Sequence, residues 1–252
     1  MAQSTLALQL EQVSRRFGAH EVLRDIDLSV AHGEWLAIVG PSGCGKTTLL
    51  NLMSGFDAPS SGHIARSGRA RTVYQADGLF PWLPVRDNIA LGLRDLDDKT
   101  RQGRTQELLE WIGLDEFADH YPHQLSGGMK QRVEIARAIG GQTDVLLLDE
   151  PFSSLDYITR LRMRRELVRL LDSKEGRRTV VMVTHDIEEA AQLADRIVVL
   201  SGRPARISCE LKVAAPQPRS LTHPEVIEAT CRIIAELGLE DVAPVGSSVE
   251  AQ

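Results

Sequence analysis

The stretch Trp35-Leu-Ala-Ile-Val-Gly40-Pro-Ser-Gly-Cys-Gly-Lys46-Thr47-Thr48-Leu-Leu-Asn-Leu-Met53 decides the fold. Its first five residues are an unbroken apolar run, as a strand buried on both faces requires. From Lys46 the residues read as a helix, closed by Gly55. The loop between them carries Gly40, Gly43 and Gly45, which let the backbone turn sharply and approach a pyrophosphate. Successive N–H groups then point inward, and the helix start adds a partial positive charge. The pattern predicts that Gly40, Pro41, Ser42, Gly43, Cys44, Gly45, Lys46, Thr47 and Thr48 cradle the phosphates of a nucleotide. Lys46 reaches the β- and γ-phosphates, and the Thr47 hydroxyl ligates Mg²⁺. Cys44 has two readings, a thiol whose pKa falls in the positive field of the loop or a small filler residue.

A phosphate loop alone fits kinases, GTPases, motors and transport ATPases, and three further segments choose among them. Val145-Leu-Leu-Leu148-Asp149-Glu150 reads as a central strand ending in two carboxylates, where α/β sheets place their ligands. Asp149 is suited to hold Mg²⁺, and Glu150 to orient or deprotonate the water that attacks a γ-phosphate. Leu125-Ser126-Gly127-Gly128-Met129-Lys130-Gln131-Arg132 opens a helical run with Ser126 as N-cap, and its two glycines expose helical N–H groups to an anion. Two phosphate cradles with one Lys-bearing loop point to a second nucleotide held by another subunit. Val180-Val-Met-Val183-Thr184-His185-Asp186 is a strand that follows the carboxylate strand by one helix, which places His185 within reach of the γ-phosphate.

In this order the motifs resemble the ATP-binding cassette family, the ATPase subunits of membrane transporters, over nearly the whole chain. Gly40 to Thr47 match the phosphate loop, Gln75 the Gln loop and Leu125 to Gly128 the family signature. Val145 to Glu150 match the carboxylate strand, Ser154-Leu-Asp156 the D-loop and His185 the switch histidine. The resemblance implies an α/β fold: a P-loop NTPase core with a parallel sheet, an N-terminal antiparallel β portion and an inserted helical subdomain. It implies ATP and Mg²⁺, with Lys46, Gln75, Glu150 and His185 catalytic and with Thr47, Gln75 and Asp149 at the metal. It implies a head-to-tail homodimer in which Ser126, Gly127 and Gly128 contact the γ-phosphate of the opposite nucleotide. Two membrane-spanning permease subunits, and through them an extracytoplasmic solute-binding protein, would be the partners at the cytoplasmic face of a bacterial inner membrane. Phe17 matches the aromatic that stacks on adenine, a core position being its other reading.

The signature usually ends in Gln, and Met129 cannot donate a hydrogen bond to the opposite ribose. Met here resembles the nitrate, sulfonate and taurine importer branch, as do Leu79-Phe-Pro-Trp-Leu83, Asp149-Glu-Pro-Phe152 and Leu200-Ser-Gly-Arg-Pro204. Other classes fit less well: a DNA-repair or chromosome member would need DNA-binding elements or long coiled coils, and a P-loop kinase leaves the signature unexplained.

Composition sets the bounds. With 252 residues, 42% of them hydrophobic, the chain can bury a sizeable core, and a net charge of −6 argues against nucleic acid as a principal partner. Cys44, Cys209 and Cys231 are too few for a disulfide framework, which fits a reducing cytoplasm. No leader is read at Met1 to Leu10, and no apolar run approaches the roughly 20 residues that span a bilayer. The ATP-binding domain is read over 1–215, its core about 1–78 and 142–215 with the helical subdomain at about 79–141, and the tail 216–252 carries one helix from Pro224. Arg160, Arg162, Arg164, Arg165 and Arg169 read as the solvated face of an amphipathic helix. In the Pro-broken segment Leu79 to Leu83, Trp82 either anchors a partner or lies in the core.

Overall fold

The computed structural model describes residues 6–75, 78–141, 143–173 and 176–239. In chain order the elements are β1 (Leu6–Phe17), β2 (His20–Ala31), β3 (Trp35–Val39), α1 (Lys46–Ser54), β4 (Ser61–Arg66), β5 (Ala70–Val73), α2 (Val85–Ala90), α3 (Asp98–Ile112), α4 (Gly127–Gly140), β6 (Val145–Asp149), α5 (Tyr157–Leu171), β7 (Asp172–Ser173), β8 (Gly176–Arg177), β9 (Thr179–Val183), α6 (Ile187–Leu193), β10 (Arg196–Ser201), β11 (Arg206–Lys212) and α7 (Pro224–Glu236).

Six strands form the central sheet in the order β11-β10-β3-β9-β6-β5, parallel from β10 to β5 with β11 antiparallel at one edge. Successive side chains of a strand face opposite ways. Trp35, Ala37 and Val39 therefore join Leu146, Leu148, Val180 and Met182 on one face of the sheet. Leu36 and Ile38 join Val145, Leu147, Val181 and Val183 on the other. Both faces are covered, which is why these strands read as continuous apolar runs rather than as alternations. The first face packs against residues of α2 to α7. The second packs against α1, whose Leu49, Leu50, Leu52 and Met53 are shared with the apolar side of a three-stranded antiparallel sheet, order β2-β1-β4. That small sheet is tied to the β10–β11 turn by Arg24 N–H to Ala205 O (3.0 Å) and Ala205 N–H to Val22 O (2.8 Å).

Local chemistry starts and stops the helices. Gly55 ends α1 at φ 79, a left-handed conformation that side chains disfavour. Asp97 caps α3 by accepting from Thr100 N–H, and Asp186 caps α6 by accepting from Glu189 N–H. Ser126 caps α4 through Met129 N–H, and Pro224 is the first residue of α7. That last helix buries Val226, Ala229 and Ile233 against the first face of the sheet.

One expectation is corrected here. The basic stripe of α5 is not wholly solvated: Arg162, Arg165 and Arg169 are exposed, but Arg164 is 2% exposed. Its Nη2 lies 2.6 Å from Asp186 Oδ2 and 3.3 Å from Glu189 Oε2 at the start of α6. A guanidinium enters the interior only where carboxylates meet it, and those carboxylates come from another element of the fold.

The register aligns the carboxyl ends of three adjacent strands. Ile38 pairs with Val183, and Val183 with Asp149, so the loops leaving β3, β9 and β6 converge on one edge of the sheet. In parallel α/β sheets that edge is where ligands bind.

Candidate active site

The phosphate loop is built by its backbone. Gly45 has φ 113, and a Cβ there would stand 2.8 Å from Val22 Cγ1, so both conformation and space demand glycine. Cys44 N–H donates to Pro41 O (3.2 Å), and α1 begins with Leu49 N–H to Gly45 O (2.9 Å). Lys46 is buried, and its Nζ donates to Gly40 O (2.9 Å) and Pro41 O (3.0 Å). Cys44 is buried in the apolar layer with Leu36 and Leu49, which is the filler reading.

A cleft of about 640 Å³ opens beside this loop. Ser42, Gly43, Gly45, Lys46, Thr47 and Thr48 form one wall, and Val22, Gln75, Glu150 and His185 complete it. Residues far apart in sequence meet here because β3, β6 and β9 end together and Gln75 follows β5.

Glu150 is the centre of that group. Gln75 Nε2 donates to Glu150 Oε2 at 3.0 Å, and His185 Nδ1 lies 3.1 Å from Glu150 Oε1. Its backbone is unusual, with φ 49, a left-handed conformation that costs a non-glycine residue about 1 kcal/mol and recurs at functional sites. Glu150 N–H donates to Val183 O (2.9 Å), which aligns it with the end of β9.

Asp149 precedes it and is buried. Burial raises its pKa above the ordinary value, the Thr47 hydroxyl bond works against that, the Glu150 charge adds to it, and Lys46 again opposes it. Asp149 Oδ1 is buried without a hydrogen-bond partner. An orphaned carboxylate oxygen, a neighbouring hydroxyl and the nearby Gln75 amide make a small set of hard oxygen donors, the chemistry that suits Mg²⁺ shared with phosphates and water. Among the described residues no cluster of His, Cys, Asp and Glu could hold a metal unaided. The residues present thus fit an ion that arrives with a nucleotide.

Other predicted residues lie elsewhere. Ser126 and Gly127 are exposed and Gly128 is half-buried at the start of α4, and none of the three lines the cleft. Phe17, at the end of β1, is 46% exposed, so it is not a core residue; the Arg15 guanidinium sits 4.4 Å from its ring centroid. Trp82 is 68% exposed, which removes its core reading, and its ring lies 5.4 Å from that of the exposed Phe80.

Two residues escaped the sequence reading. Asn88 is fully buried on α2. Its Oδ1 accepts from Phe80 N–H (2.8 Å), and its Nδ2 donates to Phe80 O (3.1 Å) and Leu83 O (2.9 Å), so it fixes the segment that presents Trp82. Nothing in Val85-Arg-Asp-Asn-Ile-Ala90 set it apart from the neighbouring polar residues Arg86 and Asp87. Gln131 on α4 is also buried, and it bonds to the backbone of Glu150 and Ser154. Its place in the signature segment was visible, but its partners were not.

Comparison with known proteins fits this geometry. A family profile described as "ABC transporter" matches residues 23–153, and a profile for an AAA domain matches residues 119–191. The chain is 40% identical over 252 aligned residues to the aliphatic sulfonates import ATP-binding protein of Nocardia farcinica, covering 98% of this chain and 100% of that one. It is 41% identical to the bicarbonate transport ATP-binding protein of Synechococcus elongatus over 91% of this chain. It spans only 38% of that longer relative. Among solved structures it is similar to a dimeric ATP-binding cassette in a post-hydrolysis state bound to ADP and Pi. That match has a TM-score of 0.74 and 30% identity, and covers 83% of this chain and 100% of that one.

Proposed function

We infer the role of this chain from its family: it belongs to the ABC transporter ATPases, and within that family it is the ATP-hydrolysing subunit of an importer. The observation that carries this reading is the Glu150 carboxylate, held between Gln75 and His185 at the phosphate-loop cleft. ATP lies with its phosphates along Gly40 to Thr48, and Phe17 stacks on the adenine. Two of the three Lys46 donors are used by loop carbonyls, and the remaining N–H serves a phosphate oxygen. Thr47, Asp149 and Gln75 hold Mg²⁺, which when bound neutralises phosphate charge. Glu150 orients and deprotonates the attacking water, and His185 senses the γ-phosphate.

Two copies work head to tail, each offering Ser126, Gly127 and Gly128 to the nucleotide of the other. This accounts for an exposed, capped helix start that lies off the cleft of its own chain. The dimer serves two membrane-spanning permease subunits and an extracytoplasmic solute-binding protein. It lies peripherally on the cytoplasmic face of the cell membrane; no helix among the described residues is long and apolar enough to cross a bilayer. The solute is a small anion of the sulfonate or bicarbonate kind, as in the relatives. Phosphate release from ATP by the purified chain, measured with and without Glu150→Gln, tests the hydrolytic role. Equal rates would sink it.

A further inference from the structure

The signature helix and the end of the carboxylate strand meet inside one protomer, and the Gln131 side chain ties them. Gln131 is 7% exposed on α4, one turn from the Ser126 cap. Its Nε2 donates to Glu150 O at 3.0 Å, and its Oε1 accepts from Ser154 N–H at 3.1 Å. The partners fix the orientation of the amide, since a carbonyl can only accept and a backbone N–H can only donate. The first partner is the residue with φ 49, whose carbonyl also takes Ser153 Oγ (3.0 Å) and Ser153 N–H (3.2 Å).

A second contact joins the same two pieces. A Cβ on Gly128 would stand 3.0 Å from Ser154 O and 3.2 Å from Leu155 Cδ2, so the start of α4 lies directly on the backbone after Ser153. Phe152 and Leu155 anchor that turn in the core, at 1% and 5% exposed. The helix start, the turn 151–155 and the backbone of Glu150 therefore form one packed block, with Gln131 as its polar tie.

We propose that Gln131 is a positioning residue for hydrolysis: it holds the left-handed backbone of Glu150 and binds that backbone to the helix that presents Ser126 to Gly128. A displacement of α4 is then delivered to the Glu150 carbonyl in the same chain, and the carboxylate moves with its own backbone. This rests on the reading of Glu150 as the residue that activates water. Gln131 is not itself part of the cleft lining and meets the site through the backbone carbonyl of Glu150.

The test uses the full chain and compares wild type, Gln131→Leu, Gln131→Glu and Glu150→Gln for ATP turnover, nucleotide affinity and melting temperature. Leu removes both bonds at similar volume, whereas Glu keeps the acceptor for Ser154 and loses the donor to Glu150. Both Gln131 variants are expected to lose about 10- to 100-fold in kcat, with KM and ATP affinity within about twofold of wild type. A merely structural residue would instead lower the melting temperature and affect affinity and turnover together. Should Gln131→Leu fail to fold, Gln131→Glu decides by the same criteria. Wild-type kcat in a folded Gln131 variant, with turnover lost in Glu150→Gln, overturns this proposal alone. Wild-type turnover in Glu150→Gln overturns the reading of Glu150 and this proposal with it.

Discussion

His185 Nδ1 stands 3.1 Å from Glu150 Oε1, across the ends of two adjacent parallel strands. Gln75 holds the other oxygen of the same carboxylate, so both acceptor oxygens of Glu150 are committed to side chains at the mouth of the phosphate-loop cleft. A carboxylate gripped on both oxygens is oriented, and its exchange of one partner for a water is a defined change of state rather than a drift.

Glu150→Gln is expected to keep ATP affinity and to lose turnover by at least about 100-fold, because the amide retains the shape of the carboxylate but cannot accept a proton. With ATP bound and uncleaved, the variant should accumulate as a dimer. Phosphate release and gel filtration with ATP check both outcomes.

Lys46→Ala should act on binding itself. The ammonium is aimed by the Gly40 and Pro41 carbonyls, and its removal deletes a charge-assisted contact to phosphate. A loss of about 10- to 100-fold in nucleotide affinity is expected in an equilibrium titration, and unchanged affinity would contradict the assignment.

Trp82→Ala should leave the isolated chain intact. The ring is 68% exposed, and the segment that carries it is held by Asn88 rather than by the ring. The melting temperature should stay within about 2 °C, as for other surface substitutions. Co-purification with the membrane subunits, or coupled transport, should fall. A large fall in melting temperature with intact co-purification would reject a docking role.

Stability should depend on pH through Glu189. Burial raises its pKa from 4.5 to about 7, with Arg164 pulling downward and Asp186 pushing upward. Between pH 4.5 and 7 the folded chain keeps a proton that the unfolded chain has released. The stability present at low pH is therefore lost as pH rises through that window. Glu189→Gln mimics the neutral acid, so its melting temperature relative to wild type should rise between pH 5 and pH 8. A difference that stays flat or falls would show that the carboxylate is already ionised at pH 5.

Relatives that import sulfonates or transport bicarbonate share this chain's cassette.

The sequence by itself determined the elements whose cause is local. The apolar run Trp35 to Val39, the glycines at 40, 43 and 45, the Ser126 cap and the Pro224 start each act over a few residues, and each produced the expected strand, loop or helix end. The types at the strand ends, Asp149, Glu150 and His185, were legible because strand, acid and spacing are all linear properties. Tertiary structure alone decided which side chains meet. Arg164 reads as one more solvated arginine until α6 brings Asp186 and Glu189 to it. Phe17, Cys44 and Trp82 kept two readings each until packing exposed the first and third and buried the second. Gln131 had no visible task until α4 was laid against the turn after Glu150. Backbone conformation follows from interactions a few residues apart, whereas a buried polar group is satisfied only by partners that the fold supplies from a distance.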